Sequence, residues 1–260
     1  MDENSLFEKL ISNQYTLEDK KNSTLEFVLD NHRTLAKKSF WMYKKLKSLG
    51  SNLEDTSNFE SKYLQSWIVY YLSASLLTTN NKQLGISNNE PTLYITYHFP
   101  EYPLLGEFVN KYDILTMVAS DSLWLSNFIK DEANLYNFRS PKLSSKLVRA
   151  FKERKSILAM FDYCYETSRS ITSNFLGIEV KTPYAILILA KRHNYKVKFI
   201  YDNNGFYIKE CPEDNYLALT QTINNLITER IYKNPAQWLL WPSLDTRWTF
   251  NDEKIYNTSL

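Results

Sequence analysis

The chain has 260 residues, 43% of them hydrophobic, and its 31 Lys and Arg nearly balance its 29 Asp and Glu. This length fits one large domain or two small ones, and the apolar content suffices for a sizeable buried core. The composition disfavours a disordered chain, and the near-neutral charge disfavours a general nucleic-acid binder.

Glycine and cysteine usage narrows the chemistry further, because the chain has only 5 Gly and 2 Cys. No two glycines have the spacing of a phosphate-binding loop, so nucleotide-dependent enzymes of the common kinds are not expected. Two cysteines cannot build a disulfide framework, and their spacing fits no CxxC metal site, which favours a cytoplasmic protein. We expect neither a metal nor a bound cofactor.

Residues 1–90 are predicted to form an N-terminal layer of two or three helices. Apolar residues recur there at three- and four-residue steps, as at Phe40, Tyr43 and Leu46. The acidic, polar start of the chain does not show the pattern of a secretory signal. The longest apolar run, residues 67–77, is shorter than the roughly 18 residues that a membrane-spanning helix needs. We therefore expect a soluble protein without a transmembrane segment.

Residues 91–260 are predicted to form an α/β domain that makes one structural unit with the helical layer. Short β-rich runs alternate there with longer helical runs, which is typical of a sheet with crossover helices. The predicted strands are residues 92–98, 114–119, 157–162, 196–201 and 206–210. The predicted helices are residues 104–112, 123–131, 144–154, 183–193 and 217–232. A hairpin turn at residues 202–205 joins the last two strands.

His98 is the first candidate for catalysis, because it ends a predicted strand and the carboxyl ends of strands carry the chemistry of α/β sheets. A neutral imidazole can take a proton from a hydroxyl or an amine near pH 7 when a carboxylate or carbonyl fixes its tautomer. Glu101 is the nearest such carboxylate in the sequence. The alternative is a structural histidine at the end of a strand.

Other polar residues carry weaker signals. Asp162 closes another predicted strand and can line the same crevice, although a turn or capping role is the ordinary interpretation. His193 lies in a charged helix end, and Cys164 is interpreted as a small buried hydrophobe. Lysine pairs give the N-terminal helices a basic surface that suits either solvent or an acidic partner.

From His98 onward the sequence resembles the lipid A biosynthesis acyltransferases, the bacterial lauroyl and myristoyl transferases. In that family a strand ends in histidine, an aspartate closes a later strand, and short motifs follow in a fixed order. The corresponding segments here are His98, Asp162, Phe175-Leu176-Gly177, Thr182-Pro183 with Ala190-Lys191-Arg192, and Asn234-Pro235-Ala236-Gln237-Trp238 followed by Arg247-Trp248.

The resemblance implies a glycerolipid-acyltransferase-like fold, with a mixed central sheet flanked by helices. It implies that His98 deprotonates the acceptor while a thioester, on acyl carrier protein or coenzyme A, supplies the acyl group. It also implies a substrate-binding role for Asp162, Trp238 and Arg247. In the family Thr-Pro opens a helix, and we expect Thr182-Pro183 to do the same here.

Two departures from the family pattern shape the functional hypothesis. Pro103 stands where the family has its acid, which leaves Glu101, Glu107 or no carboxylate to orient His98. We expect Glu101 to do so. The hydrophobic N-terminal anchor of the family is missing, so this chain is interpreted as a divergent soluble member.

Three functions remain open from the sequence. The first is an acyltransferase that moves an acyl or peptidyl-type group from a carrier-protein or coenzyme A thioester to an amine or hydroxyl, as in natural-product biosynthesis. The second is a lipid A-type acyltransferase that contacts the membrane surface through the N-terminal helices. The third is an inactive protein that binds an acyl chain or a partner.

Overall fold

The computed structural model describes most of the chain. The described residues are 1–76, 90–118, 135–137, 141–164, 167–202 and 205–244. The predicted helix at residues 123–131 and the predicted site residue Arg247 lie outside them.

Four helices form the N-terminal layer: α1 (Glu3–Ile11), α2 (Leu17–Asn31), α3 (Arg33–Ser48) and α4 (Phe59–Leu76). Asp2 caps α1, and Thr16 and Asp19 form a reciprocal capping box at the start of α2. These caps satisfy backbone N–H groups that have no partner inside the helix. The described part of this region, residues 1–76, is therefore helical, with four helices rather than the predicted two or three.

The rest of the chain is mixed α/β, as predicted. Its strands are β1 (Thr92–Thr96), β2 (Leu115–Val118), β3 (Leu135–Asn137), β4 (Ile157–Met160), β5 (Ser170–Phe175), β6 (Ile178–Pro183), β7 (Lys196–Asp202) and β8 (Phe206–Glu210). Its helices are α5 (Leu105–Lys111), α6 (Leu143–Lys152), α7 (Ala185–Arg192) and α8 (Tyr216–Lys233). Each predicted strand has an observed counterpart, whereas β3, β5 and β6 were not predicted.

Six strands form one sheet in the order β3-β2-β4-β1-β7-β8, with β8 antiparallel to β7 and every other pair parallel. The chain runs from β1 past β4 to reach β2, and from β4 past β1 to reach β7. The neighbours β1 and β4 are thus followed by connections that leave in opposite directions. Such a switch point opens a crevice at the carboxyl ends of the two strands.

Strands β5 and β6 form a separate hairpin whose tight turn is Leu176-Gly177. Both residues have positive φ, 54° and 81°, as a two-residue hairpin turn requires. Asn224 of α8 donates from Nδ2 to Ser173 Oγ and Thr182 Oγ1, each at 2.9 Å, in a fully buried contact that fixes the hairpin to the helix. Thr182-Pro183 ends β6 and α7 begins only at Ala185, so the expectation that Thr182-Pro183 opens a helix was wrong.

The hydrophobic core is one cluster that extends from Leu6 in α1 to Leu244. Helix α4 connects the N-terminal layer to the segment after α8, because the buried hydroxyl of Tyr63 donates to the backbone oxygen of Leu239 at 2.9 Å. Trp241 packs edge-on against Tyr43 and Phe59. None of the helices in the described ranges combines the length and apolarity that crossing a membrane demands.

Gly177→Ala is expected to destabilise the protein more than Gly50→Ala. Both glycines have positive φ, so alanine introduces backbone strain of about 1 kcal/mol or more at either position. At Gly177 the added Cβ would also lie 3.1 Å from Tyr232 Oη and 3.5 Å from Ser51 Cα, whereas at Gly50 it would meet nothing within 4 Å. Urea unfolding of the two variants measures the difference, and equal losses would contradict the close approach at Gly177.

Stability is expected to fall as the pH drops from about 6.5 to 4, in part because of His32. Burial among aromatic side chains lowers the pKa of His32 to about 4. In the unfolded chain His32 has the ordinary histidine pKa of about 6.5, so below that pH it is protonated there while it stays neutral in the folded chain. This difference lowers the free energy of unfolding by up to about 3 kcal/mol by pH 4. His32→Phe should flatten this part of the curve of unfolding free energy against pH, and an unchanged slope would refute the assignment.

Candidate active site

His98 lies two residues beyond the end of β1, at the switch point of the sheet. Strand β1 is buried along its whole length, and the turn that includes Pro100 follows His98 immediately. The backbone oxygen of His98 accepts a hydrogen bond from the N–H of Leu239 at 3.1 Å. The histidine is thus held from one side by the sheet and from the other by the segment after α8.

Asp162 is brought to His98 by the register of the sheet. Thr96 of β1 pairs with Met160 of β4 in a parallel register, so the residues two positions further along each strand are neighbours. Asp162 Oδ1 lies 2.8 Å from Nδ1 of His98, and its Oδ2 accepts the backbone N–H of His98, also at 2.8 Å. The carboxylate therefore contacts both the ring and the backbone of the histidine.

Trp238 supplies a third donor to the same carboxylate. Its indole N–H donates to Asp162 Oδ2 at 2.8 Å, and the tryptophan is only 1% exposed. Asp162 itself is fully buried. A buried carboxylate is costly unless hydrogen bonds compensate for the lost water, and three N–H groups do so here.

The position that we expected Glu101 to take at His98 belongs to Asp162. Glu101 precedes the short 3₁₀ helix Tyr102–Leu104, and the His98 ring is hydrogen-bonded to Asp162 and Tyr163 among the described residues. Glu107, the other acidic candidate, lies in the first turn of α5, where burial raises its pKa. The carboxylate that orients the imidazole therefore comes from the neighbouring strand and not from the turn after His98.

The outer nitrogen of the imidazole, Nε2, lies on the side of the ring away from Asp162, which contacts Nδ1. The hydroxyl of Tyr163 lies 3.3 Å from Nε2, and the rings of Tyr163 and Tyr102 pack edge-on against the imidazole. The His98 side chain is 14% exposed while its partner carboxylate is fully buried. Because Asp162 accepts at Nδ1, the hydrogen-bond network assigns the neutral ring a proton on Nδ1 and a lone pair on Nε2.

This arrangement can act as a general base. The lone pair on Nε2 can take a proton from a hydroxyl or amine in the crevice, and the buried carboxylate stabilises the imidazolium that results. In the described ranges no three side chains of His, Cys, Asp or Glu come together as metal ligands would.

Neither cysteine is placed to act as a nucleophile. Cys164 is fully buried, its thiol lies 3.6 Å from Thr182 Oγ1, and burial raises its pKa far above the ordinary value. Cys211 is 3% exposed, and burial raises its pKa to about 11. Nucleophilic cysteines need a lowered pKa and access to substrate, and both thiols have the opposite environment.

The remaining sequence candidates are placed as follows. Asp162 and Trp238, which the resemblance assigned to substrate binding, are buried supports of His98. His193 follows α7 and stacks on Phe151, away from the His98 cluster. Tyr163 and Tyr102 were missed, although the adjacency of Tyr163 to Asp162 in the sequence is a signal that could have found it.

Neither a protein-family model nor a curated protein matches this chain. The likeness to the lipid A acyltransferases therefore depends on the ordered motif residues alone.

Asp162→Asn is expected to destabilise the fold and to disturb the tautomer of His98. An amide presents an N–H where three N–H donors converge, so at least one buried donor loses its acceptor at a cost of about 2–4 kcal/mol. Urea unfolding measures the loss, and ¹⁵N NMR of the imidazole should show less of the Nδ1-protonated form.

Two further variants keep this test interpretable. Asp214→Asn, at a solvent-exposed carboxylate, is the matched control and should change neither measurement. Trp238→Phe removes one donor but keeps the carboxylate, and it replaces Asp162→Asn in these measurements if that variant does not fold. A tautomer unchanged in the folded Asp162→Asn protein would contradict the role of Asp162.

Proposed function

We propose that this chain is an acyltransferase that uses His98 as general base. The observation that carries the proposal is the His98 imidazole at the switch point, with a buried carboxylate on Nδ1 and the Tyr163 hydroxyl beside Nε2. The ordered motifs shared with lipid A acyltransferases supply the reaction class. The group transferred is an acyl or peptidyl-type group, and the acceptor is an amine or a hydroxyl.

The transfer is direct, from thioester to acceptor. Nε2 removes the proton from the acceptor hydroxyl or amine as its oxygen or nitrogen attacks the thioester carbonyl. The carbon–sulfur bond then breaks, and the departing thiolate receives the proton from Nε2, which regenerates neutral His98. A direct route suits the site because both cysteines are buried and their pKa values are raised.

Buried Asp162 and Trp238 are positioning residues in this mechanism. The carboxylate holds the imidazole in the tautomer that has its lone pair on Nε2, and the indole N–H holds the carboxylate. The Tyr163 hydroxyl at 3.3 Å occupies the side of the ring from which the acceptor would approach. It is placed to donate a hydrogen bond there to the acceptor or to the developing oxyanion.

Helix α3 supports a carrier protein as the donor. The helix contains Arg33, Lys37, Lys38, Lys44, Lys45 and Lys47 and no acidic residue. The net charge of the whole chain is only +2, so the attraction of an acidic carrier would have to be local. Transfer from an acyl or peptidyl carrier protein should then weaken as salt rises, while transfer from the coenzyme A thioester should change less.

His98→Ala is expected to lower the rate of transfer from a panel of acyl thioesters by about 10²- to 10⁴-fold, the usual contribution of a general base. His193→Ala removes a histidine outside the site and should retain the activity. Product formation is followed by mass spectrometry together with release of free thiol. Full activity of His98→Ala would exclude this mechanism.

The same assay separates the two carboxylates. Asp162→Asn should slow transfer strongly, whereas Glu101→Gln should stay within about threefold of the parent, because Asp162 contacts the imidazole. A larger loss of rate in Glu101→Gln than in Asp162→Asn would show that Glu101 orients His98.

The two other functions predict different results. A lipid-modifying enzyme on the membrane surface predicts sedimentation with anionic vesicles at low salt and transfer to a lipid acceptor. An inactive binding protein predicts that thioesters bind without turnover, and a product that depends on His98 would exclude it.

A further inference from the structure

A polar cavity lies beside the His98 cluster, between the end of β7 and the end of α8. It encloses about 480 Å³, which lies within the size range of small-molecule sites. Its lining is mostly polar and includes Tyr201, Asp202, Arg230 and Lys233, with the amide side chains of Asn234 and Gln237. We call it the α8 cavity.

Hydrogen-bond donors predominate in the α8 cavity. Arg230 and Lys233 contribute two cations against the single carboxylate of Asp202. Asp202 is partly engaged already, because its Oδ1 accepts the backbone N–H of Gly205 at 3.1 Å. Outside the lining, Glu229 contacts Lys233 at 2.9 Å and Arg230 at 3.5 Å, which leaves most of the guanidinium donors for other acceptors.

Arg230 carries a buried donor without an acceptor. Its Nε is buried and has no hydrogen-bond partner among the described residues. The guanidinium lies 4.1 Å from the centre of the Tyr201 ring, and this stacking fixes its plane at the cavity wall. A buried N–H without an acceptor costs free energy, and the fold accepts that cost while holding the guanidinium in this position.

The cavity shares a wall with the candidate active site. Tyr97 precedes His98 in the chain, and the indole N–H of Trp238 donates to Asp162. Both residues belong to the lining of the cavity. A ligand held by Arg230 would therefore share a lining residue, Trp238, with the carboxylate that contacts His98.

We propose that the α8 cavity binds a phosphate group of a substrate, with Arg230 as its main ligand and Lys233 as the second cation. A planar guanidinium, an ammonium and two amides match the several oxygens of a phosphate better than the two of a carboxylate. That the phosphate belongs to a substrate rests on the proposed function. It comes from the phosphopantetheine arm of the thioester donor or from a phosphorylated acceptor.

Isothermal titration calorimetry with two matched pairs of probes distinguishes these sources. The first pair is 4′-phosphopantetheine against pantetheine, and the second is glycerol 3-phosphate against glycerol. We expect the phosphorylated member of one pair to bind at least tenfold more tightly than its partner. Tighter binding of 4′-phosphopantetheine would identify the donor arm as the source of the phosphate, and tighter binding of glycerol 3-phosphate would identify the acceptor. Equal affinities within both pairs would overturn the proposal.

Substitutions of the residues that line the cavity show which of them hold the phosphate. Arg230→Gln should weaken the binding of the phosphorylated probe at least tenfold and leave the binding of its unphosphorylated partner unchanged. Asp202→Asn should tighten the binding of the phosphorylated probe, because the substitution removes the one negative charge of the lining. The amide oxygen of the asparagine can still accept the hydrogen bond from the Gly205 N–H. Lys152→Gln, on the exposed surface of α6, is the charge-matched control and should have no effect.

Opposite signs for Arg230→Gln and Asp202→Asn are the decisive result, since a merely structural loss would weaken binding in both. Lys233→Gln, which should weaken the phosphorylated probe, replaces Arg230→Gln if that variant does not fold. An unchanged affinity in Arg230→Gln, or in Lys233→Gln if it takes its place, would overturn the proposal.

His98→Ala keeps the two hypotheses separate, because His98 does not line the cavity. It should retain phosphate binding even though it loses transfer. If His98→Ala remains fully active, the mechanism fails while the binding result stands. If the phosphate has no effect on binding, the cavity proposal fails while the mechanism stands.

Discussion

The burial of the Asp162 carboxylate is the constraint on which the rest of the site depends. A fully buried negative charge is tolerated only where donors replace water, and here the three donors come from the backbone of His98, its ring and the indole of Trp238. The aspartate follows β4, whereas two of the donors belong to His98 after β1 and the third to Trp238 after α8. Holding one carboxylate in place thus requires β1, β4 and the segment after α8 to meet at one point.

The N-terminal helices complete this arrangement from outside the sheet. Leu239, next to Trp238, donates from its N–H to the His98 oxygen and accepts at its own oxygen from Tyr63 in α4. The segment that carries Trp238 is therefore held between the sheet and the helical layer. The layer thereby supports the geometry around His98 from a distance.

The sequence was sufficient to predict His98 and Asp162 at strand ends, because both positions follow from local hydrophobic patterns. It was not sufficient to predict their contact, which depends on the order of strands and on the Thr96–Met160 register. Glu101 was preferred because it is near in sequence, whereas nearness in a sheet is set by the neighbouring strand. The hairpin at 170–183 was missed because Leu176, a residue that rarely has positive φ, occupies its turn.

The two proposed sites are linked through Trp238. Its indole N–H donates to Asp162, and the residue also belongs to the lining of the α8 cavity. A tryptophan that is 1% exposed cannot move without changing both environments, since a packed core resists small displacements. A phosphate bound in the cavity would lie near the residue that holds the carboxylate, and the carboxylate sets the tautomer of His98. Trp238 is therefore the residue at which the two proposals meet, because it holds the carboxylate behind the proposed base and also lines the cavity proposed for the phosphate.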